Sequence, residues 1–191
     1  MLKYLVPRIT LGDLKSMLVV ALIGGLIAGV YGVLHDQITY SICPEYFTNL
    51  KFEQFHYVDF DFGDRAFVAS IGFLASWWVG FIIAWFLSRK FIPGRPRKVA
   101  YQGIIRGFII VFASGILAGV AGYLYGLWRG PDADYSSWLS IIDRYQIADK
   151  WAFIRVAYIH NASYLGGVAG LIISLKVIRP KKSDSTEINS T

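Results

Sequence analysis

Charge is missing from four long stretches of this chain. Residues 17–34, 66–88, 107–127 and 156–175 contain no aspartate, glutamate, lysine or arginine. Each approaches the roughly 20 apolar residues that a helix needs to cross a bilayer. Only 17% of the chain is charged, against about a quarter in a soluble domain, and 55% is hydrophobic with a mean hydropathy of +0.47. This patterning excludes an ordinary soluble fold. It predicts an all-α polytopic membrane protein: one four-helix transmembrane domain over residues 1–180, followed by a disordered tail at 181–191. The lipid bilayer is then its first partner.

Cysteine is almost absent. Cys43 stands alone, which excludes an intrachain disulfide and any cysteine-based metal or redox motif. Also missing are a nucleophile–base–acid set, a glycine-rich phosphate loop, a Walker sequence and a pair of haem ligands on separate spans. The sequence therefore leans away from an enzyme, with a membrane-embedded one using outer-side histidines and carboxylates as the alternative, and calls for no cofactor.

The charges that remain are unevenly placed. Threading four spans puts Lys3, Arg8, Lys15, the basic residues between Arg89 and Arg106, and those from Lys176 to Lys182 on one side, for a net +10. The other side nets −4. By the positive-inside rule both termini are cytoplasmic, and the 35–65 and 128–155 loops are external. The overall charge of +6 thus reads as topology rather than nucleic-acid binding. This reads as a multi-pass membrane protein with both termini cytoplasmic. The first apolar run is long for a signal peptide, has no clean A-x-A cleavage site, and belongs to a repeat, so it is expected to be retained.

That repeat has an offset of 90 residues. GLIAGVYGVL (25–34) falls on GILAGVAGYL (115–124), and Arg65 falls on Arg155. Small residues recur every four positions: Gly24, Ala28 and Gly32; Gly72, Ser76, Gly80 and Ala84; Ser114, Ala118 and Gly122; Ala162, Gly166, Gly170 and Ser174. Such ladders let helix backbones approach closely in lipid. The expected architecture is two parallel helical-hairpin repeats. The ladders hold the bundle together, and a homo-oligomer or membrane complex through a small-residue face stays open.

Polar chemistry collects on the outer side. All three histidines (His35, His56 and His160) and ten of the thirteen acids lie there. His35 and Asp36 follow the first span directly, and His160 falls about one turn inside the fourth, in RVAYIHNASY. With Glu45, Arg65, Arg155, Asn161 and Tyr164 they make a candidate polar, outward-facing site. Three readings compete. Histidine and carboxylate are metal ligands, with His35, His56 and His160 as candidates, but no HxxH, HxxxH or ExxH spacing supports this, and adjacent His35–Asp36 is ill placed to chelate from one helix face. His160 and Asp36 could instead relay protons or ions. The simplest reading is structural, with hydrogen bonds locking the outer cap. Arg65 and Arg155 open their spans against the helix dipole, so loop acids are expected as partners, anion binding or headgroup anchoring being alternatives.

The loops are not plainly hydrophilic. Pro44 and Glu45 suit a first helical turn, with Tyr46, Phe47, Leu50 and Phe55 as its apolar side. The stretch 135–145 suits a short amphipathic helix carrying Trp138, Leu139, Ile142 and Tyr145. Two ordered lids are expected. HDQITYSICPEYF together with YIHNASY resembles an uncharacterised family of small bacterial four-span proteins, over most of the chain. The resemblance implies a bacterial four-span protein and no particular activity.

Overall fold

The computed structural model describes residues 9–178, and all the regular structure among them is helical. The basic N-terminal residues through Arg8 and the expected tail lie outside that range. In chain order the helices are α1 (Leu11–Ile42), α2 (Phe52–Gln54), α3 (Asp64–Phe91), α4 (Arg97–Arg129), α5 (Leu139–Arg144) and α6 (Lys150–Val177). A single wide π-type turn at Tyr46–Lys51 precedes α2, and 3-10 turns occupy His56–Val58 and Ser136–Trp138. Helices α1, α3, α4 and α6 are long and apolar enough to span a membrane.

All four outrun the uncharged segments. At 1.5 Å per residue the 32 residues of α1 extend about 48 Å, well beyond the roughly 30 Å hydrocarbon thickness of a bilayer. Its start is fixed by a capping box: the Asp13 amide donates to Thr10 Oγ1 at 3.1 Å, and the Thr10 amide donates to Asp13 Oδ2 at 3.0 Å. Its end comes two turns past Leu34, just before Pro44, where the ring disfavours helix in the preceding residue. His35 and Asp36 are consequently inside a helix rather than at its end. Likewise, α4 begins at Arg97, so the basic connection 89–106 is mostly helical and the turn itself is short. Gly94, at φ +70°, provides the left-handed conformation that this turn needs.

The helices pair as two hairpins, α1 with α3 and α4 with α6. Each pair is zipped by its small residues facing one another. A Cβ on Gly32 would overlap the Gly72 carbonyl oxygen, and one on Gly24 would overlap Ala84. In the second pair Gly122 meets Ala162 and the Tyr158 carbonyl, while Gly166 meets Ala118 and the Ser114 carbonyl. Equivalent contacts in the two hairpins fall at the 90-residue offset. Ser174 Oγ adds an interhelical hydrogen bond to the Gly107 carbonyl at 3.1 Å. The ladders are thus spent inside the hairpins. Between hairpins the contact is sparse.

Two apolar clusters sit at opposite ends. One joins Met17, Leu87, Phe91, Ile92, Ala100 and Ile104 near the α3–α4 turn. The other is a cap: Cys43, Tyr46 and Phe47 from the first loop pack with Ile142 and Ile147 from the second, over Val68, Phe153 and Val156. Tyr46 and Phe47 are buried in this cap. Farther along the first loop Phe60 and Phe62 are exposed. Leu18, Leu22, Leu26, Ile109, Leu117 and Leu165 are among many large apolar side chains on the outer faces of the helices.

The packing predicts that Gly32→Ala, which drives a methyl group into backbone, costs about 1–3 kcal/mol as overpacking does. Gly167→Ala, with nothing within 4 Å of the added carbon, has no such cost. Thermal unfolding in detergent should separate the two variants, with only Gly32→Ala melting lower.

Candidate functional site

Because α1 continues past Leu34, His35 and Asp36 project from a regular helix toward α6. His160 meets them from ten residues inside α6, whose N-cap is Asp149, accepting from the Ala152 amide at 2.9 Å. His35 Nδ1 and Asp36 Oδ1 are 3.1 Å apart, and His160 Nε2 is 3.9 Å from the same oxygen. The two imidazoles stand edge to face with centroids 4.8 Å apart. Asp36 is 5% and His160 8% exposed. Neighbours on a helix are about 100° apart, yet the His35 ring and the Asp36 carboxylate turn toward each other and meet.

Aromatic rings fix both histidines. Tyr46 stacks on His160 with centroids 5.0 Å apart and planes 14° apart, and Tyr31 lies 5.8 Å from the His35 ring. Such pairs contribute about 0.5–1.5 kcal/mol each beyond area burial, which restrains the tilt of the rings without locking their side-chain torsions. Burial pushes the Tyr46 phenol well above its ordinary range, helped by the charge of Asp36. The Lys51 ammonium, 5.7 Å above the Tyr46 ring, is pulled below its ordinary range by burial, with Asp36 acting in the opposite direction.

Below the cluster, between the hairpins, is a cavity of about 100 Å³. Tyr31, His35, Asp36, His160, Ser163 and Tyr164 line its polar part, and Ala28, Val79, Ile83, Phe108 and Val111 its apolar part. A water needs some 10–15 Å³ by this measure, so there is room for several waters or a small ion with its hydration, but not for a drug-sized ligand. Three buried polar atoms here have no hydrogen-bond partner among the described residues: His35 Nε2, His160 Nε2 and Ser163 Oγ. Whichever of His35 and Asp36 carries the shared proton, Nε2 of His35 stays unpaired. Leaving such a group unsatisfied costs about 1–3 kcal/mol.

The remaining sequence candidates lie elsewhere. Glu45 closes the cap, accepting from the amides of Ala148 (3.1 Å) and Asp149 (2.9 Å). Arg65 donates to Gln37 Oε1 at 2.9 Å and Ser41 Oγ at 3.1 Å and covers the Tyr40 ring. Arg155 stacks on Trp151 at 4.1 Å. Neither arginine ion-pairs with a loop acid among the described residues: side-chain oxygens and aromatic faces take that role. Asn161 points outward and is exposed, and His56 sits on the surface beside the Glu53 carbonyl. Tyr46, Tyr31, Ser163 and Lys51 were not legible as site residues, because loop position or low polarity gave no signal. Cys43, expected on the exposed outer side, is 2% exposed, and burial raises its thiol pKa.

Glu45 carries a direct prediction. Glu45→Ala removes a carboxylate that holds two amides across the loops, a partly exposed interaction of about 1 kcal/mol. Amide exchange at Ala148 and Asp149 should quicken by roughly fivefold with the helices unaffected, as read by hydrogen-exchange mass spectrometry.

Comparison with protein-family models, with curated proteins and with solved structures yields no match for this chain. The chemistry of the site therefore stands on its own geometry: two imidazoles and a carboxylate, drawn from different hairpins, at the head of a cavity with unpaired nitrogen donors.

Proposed function

We propose that this protein is a multi-pass membrane protein of the bacterial inner membrane with both termini cytoplasmic, built as two parallel copies of one hairpin. Under its external cap it binds a small ion, serving as a channel, a transporter or an accessory membrane subunit. The observation that carries the reading is the interhairpin cavity headed by His35, Asp36 and His160, two of whose nitrogens have no hydrogen-bond partner among the described residues. Ionisable groups within spanning helices are costly and mark ion or substrate pathways. A purely structural role would be expected to satisfy those nitrogens.

Support for insertion comes from the four apolar helices and their apolar outer faces. Support for duplication comes from hairpin contacts at one offset. The asymmetry fits a site acquired after duplication: Tyr125 and Gly126 stand where the first copy has His35 and Asp36, and Ser70 stands where the second has His160.

Since Cys43 is buried, orientation is best tested in a Cys43→Ala background with single cysteines at exposed positions. An impermeant thiol reagent applied to the outer face of cells should label Gln54→Cys and not Lys98→Cys, and the reverse pattern would invert the topology. For ion passage, proteoliposomes free of divalent metal and holding a pH dye should dissipate an imposed proton gradient faster than empty vesicles. Asp36→Asn and His160→Gln should slow this about tenfold. Wild-type flux no faster than in empty vesicles, or equal flux in all three proteins, would contradict passage through this site.

A further inference from the structure

The cluster has the composition of a metal centre. One donor atom from each of His35, Asp36 and His160 lies within 4.8 Å of the other two. A tetrahedral ion with bonds of 2.0–2.1 Å needs donors roughly 3.3 Å apart, so the longest separation must close by about 1.5 Å, within reach of side-chain torsions on rigid helices. The Asp36–His35 pair, at 3.1 Å, already meets that spacing. Imidazole nitrogen and one carboxylate favour a divalent transition metal over calcium or magnesium, which take oxygen ligands.

Resting on the reading of this cluster as an ion site, we propose that His35, Asp36 and His160 bind one divalent transition-metal ion such as zinc, with the fourth coordination position open to the cavity. Three protein ligands and one open position is the arrangement of reactive or exchangeable metal sites, whereas structural zinc sites are closed by four. The ligands come from both hairpins, so the ion would clamp α1 to α6 where direct contact between them is sparse. Two neutral imidazoles and one carboxylate leave the bound ion with a net charge of +1. Tyr46 against His160 and Tyr31 near His35 hold the ring planes.

The test uses full-length protein without a histidine tag, purified in detergent, stripped with chelator and reloaded with Zn²⁺ or Co²⁺. One metal per chain is expected by elemental analysis, with visible d–d absorption for the cobalt form and a raised melting temperature. Asp36→Asn and His160→Gln should each weaken Zn²⁺ binding at least tenfold, and His56→Ala should leave it unchanged. If either ligand variant fails to accumulate, X-ray absorption on Zn²⁺-loaded wild type decides: two imidazoles in the first shell are expected, and one or none overturns the assignment. Substoichiometric metal in wild type, or binding lost with His56→Ala and kept in the ligand variants, overturns it as well. Proton flux without metal binding would sink this inference alone, while metal binding without flux would sink the passage reading alone.

Discussion

Close approach of backbones within each hairpin is the constraint on which the rest depends. In lipid, apolar side chains gain nothing by leaving the tails for one another, so helices associate by packing and by hydrogen bonds. Gly24, Gly32, Gly72 and Gly80 in one hairpin, and Gly122, Gly166 and Gly170 in the other, remove the side chains that would hold the backbones apart. Each hairpin thereby becomes a rigid, two-helix slab. The slabs meet each other through larger residues, among them Phe108, Phe112 and Tyr31, which pack less completely and leave a cavity between them.

What closes that cavity at one end is not helix packing but a small apolar core built from the two loops. Tyr46, Phe47, Ile142 and Ile147 pack over the helix ends much as a soluble domain would, and Glu45 and Asn49 join the first loop to the second by hydrogen bonds. The π-type turn at Tyr46–Lys51 fits this role, since such turns are often found at functional sites. It sets the Tyr46 ring flat on His160. The cap and the polar cluster are thus one unit, and the first loop contributes to the site mainly through an aromatic ring.

Much of this was legible in the sequence, for reasons that differ by residue. Uncharged runs announce long helices because so few solvents tolerate them, and the small-residue ladders announce close packing because only absent side chains permit it. The pairing of HDQ with YIHN followed from polarity at unlike places in two similar hairpins. What stayed hidden was set by tertiary context. The helix continued through His35 and Asp36 although polarity there suggested an end. The adjacent pair converged, and His160 of α6 lies close to both. Arg65 and Arg155 found hydrogen-bond acceptors and rings where carboxylates were expected, since an arginine at a span entrance is satisfied by whichever side chains its own hairpin offers.

The central claim is that the two hairpins bring His35 and His160 into contact, with ring centroids 4.8 Å apart. The most direct measurement is magic-angle-spinning NMR on histidine-labelled protein in lipid bilayers, in a His56→Ala background that leaves only these two rings. The account predicts a through-space correlation between the imidazole nitrogens and carbons of His35 and His160. Well-resolved signals from folded protein with no such correlation would contradict it.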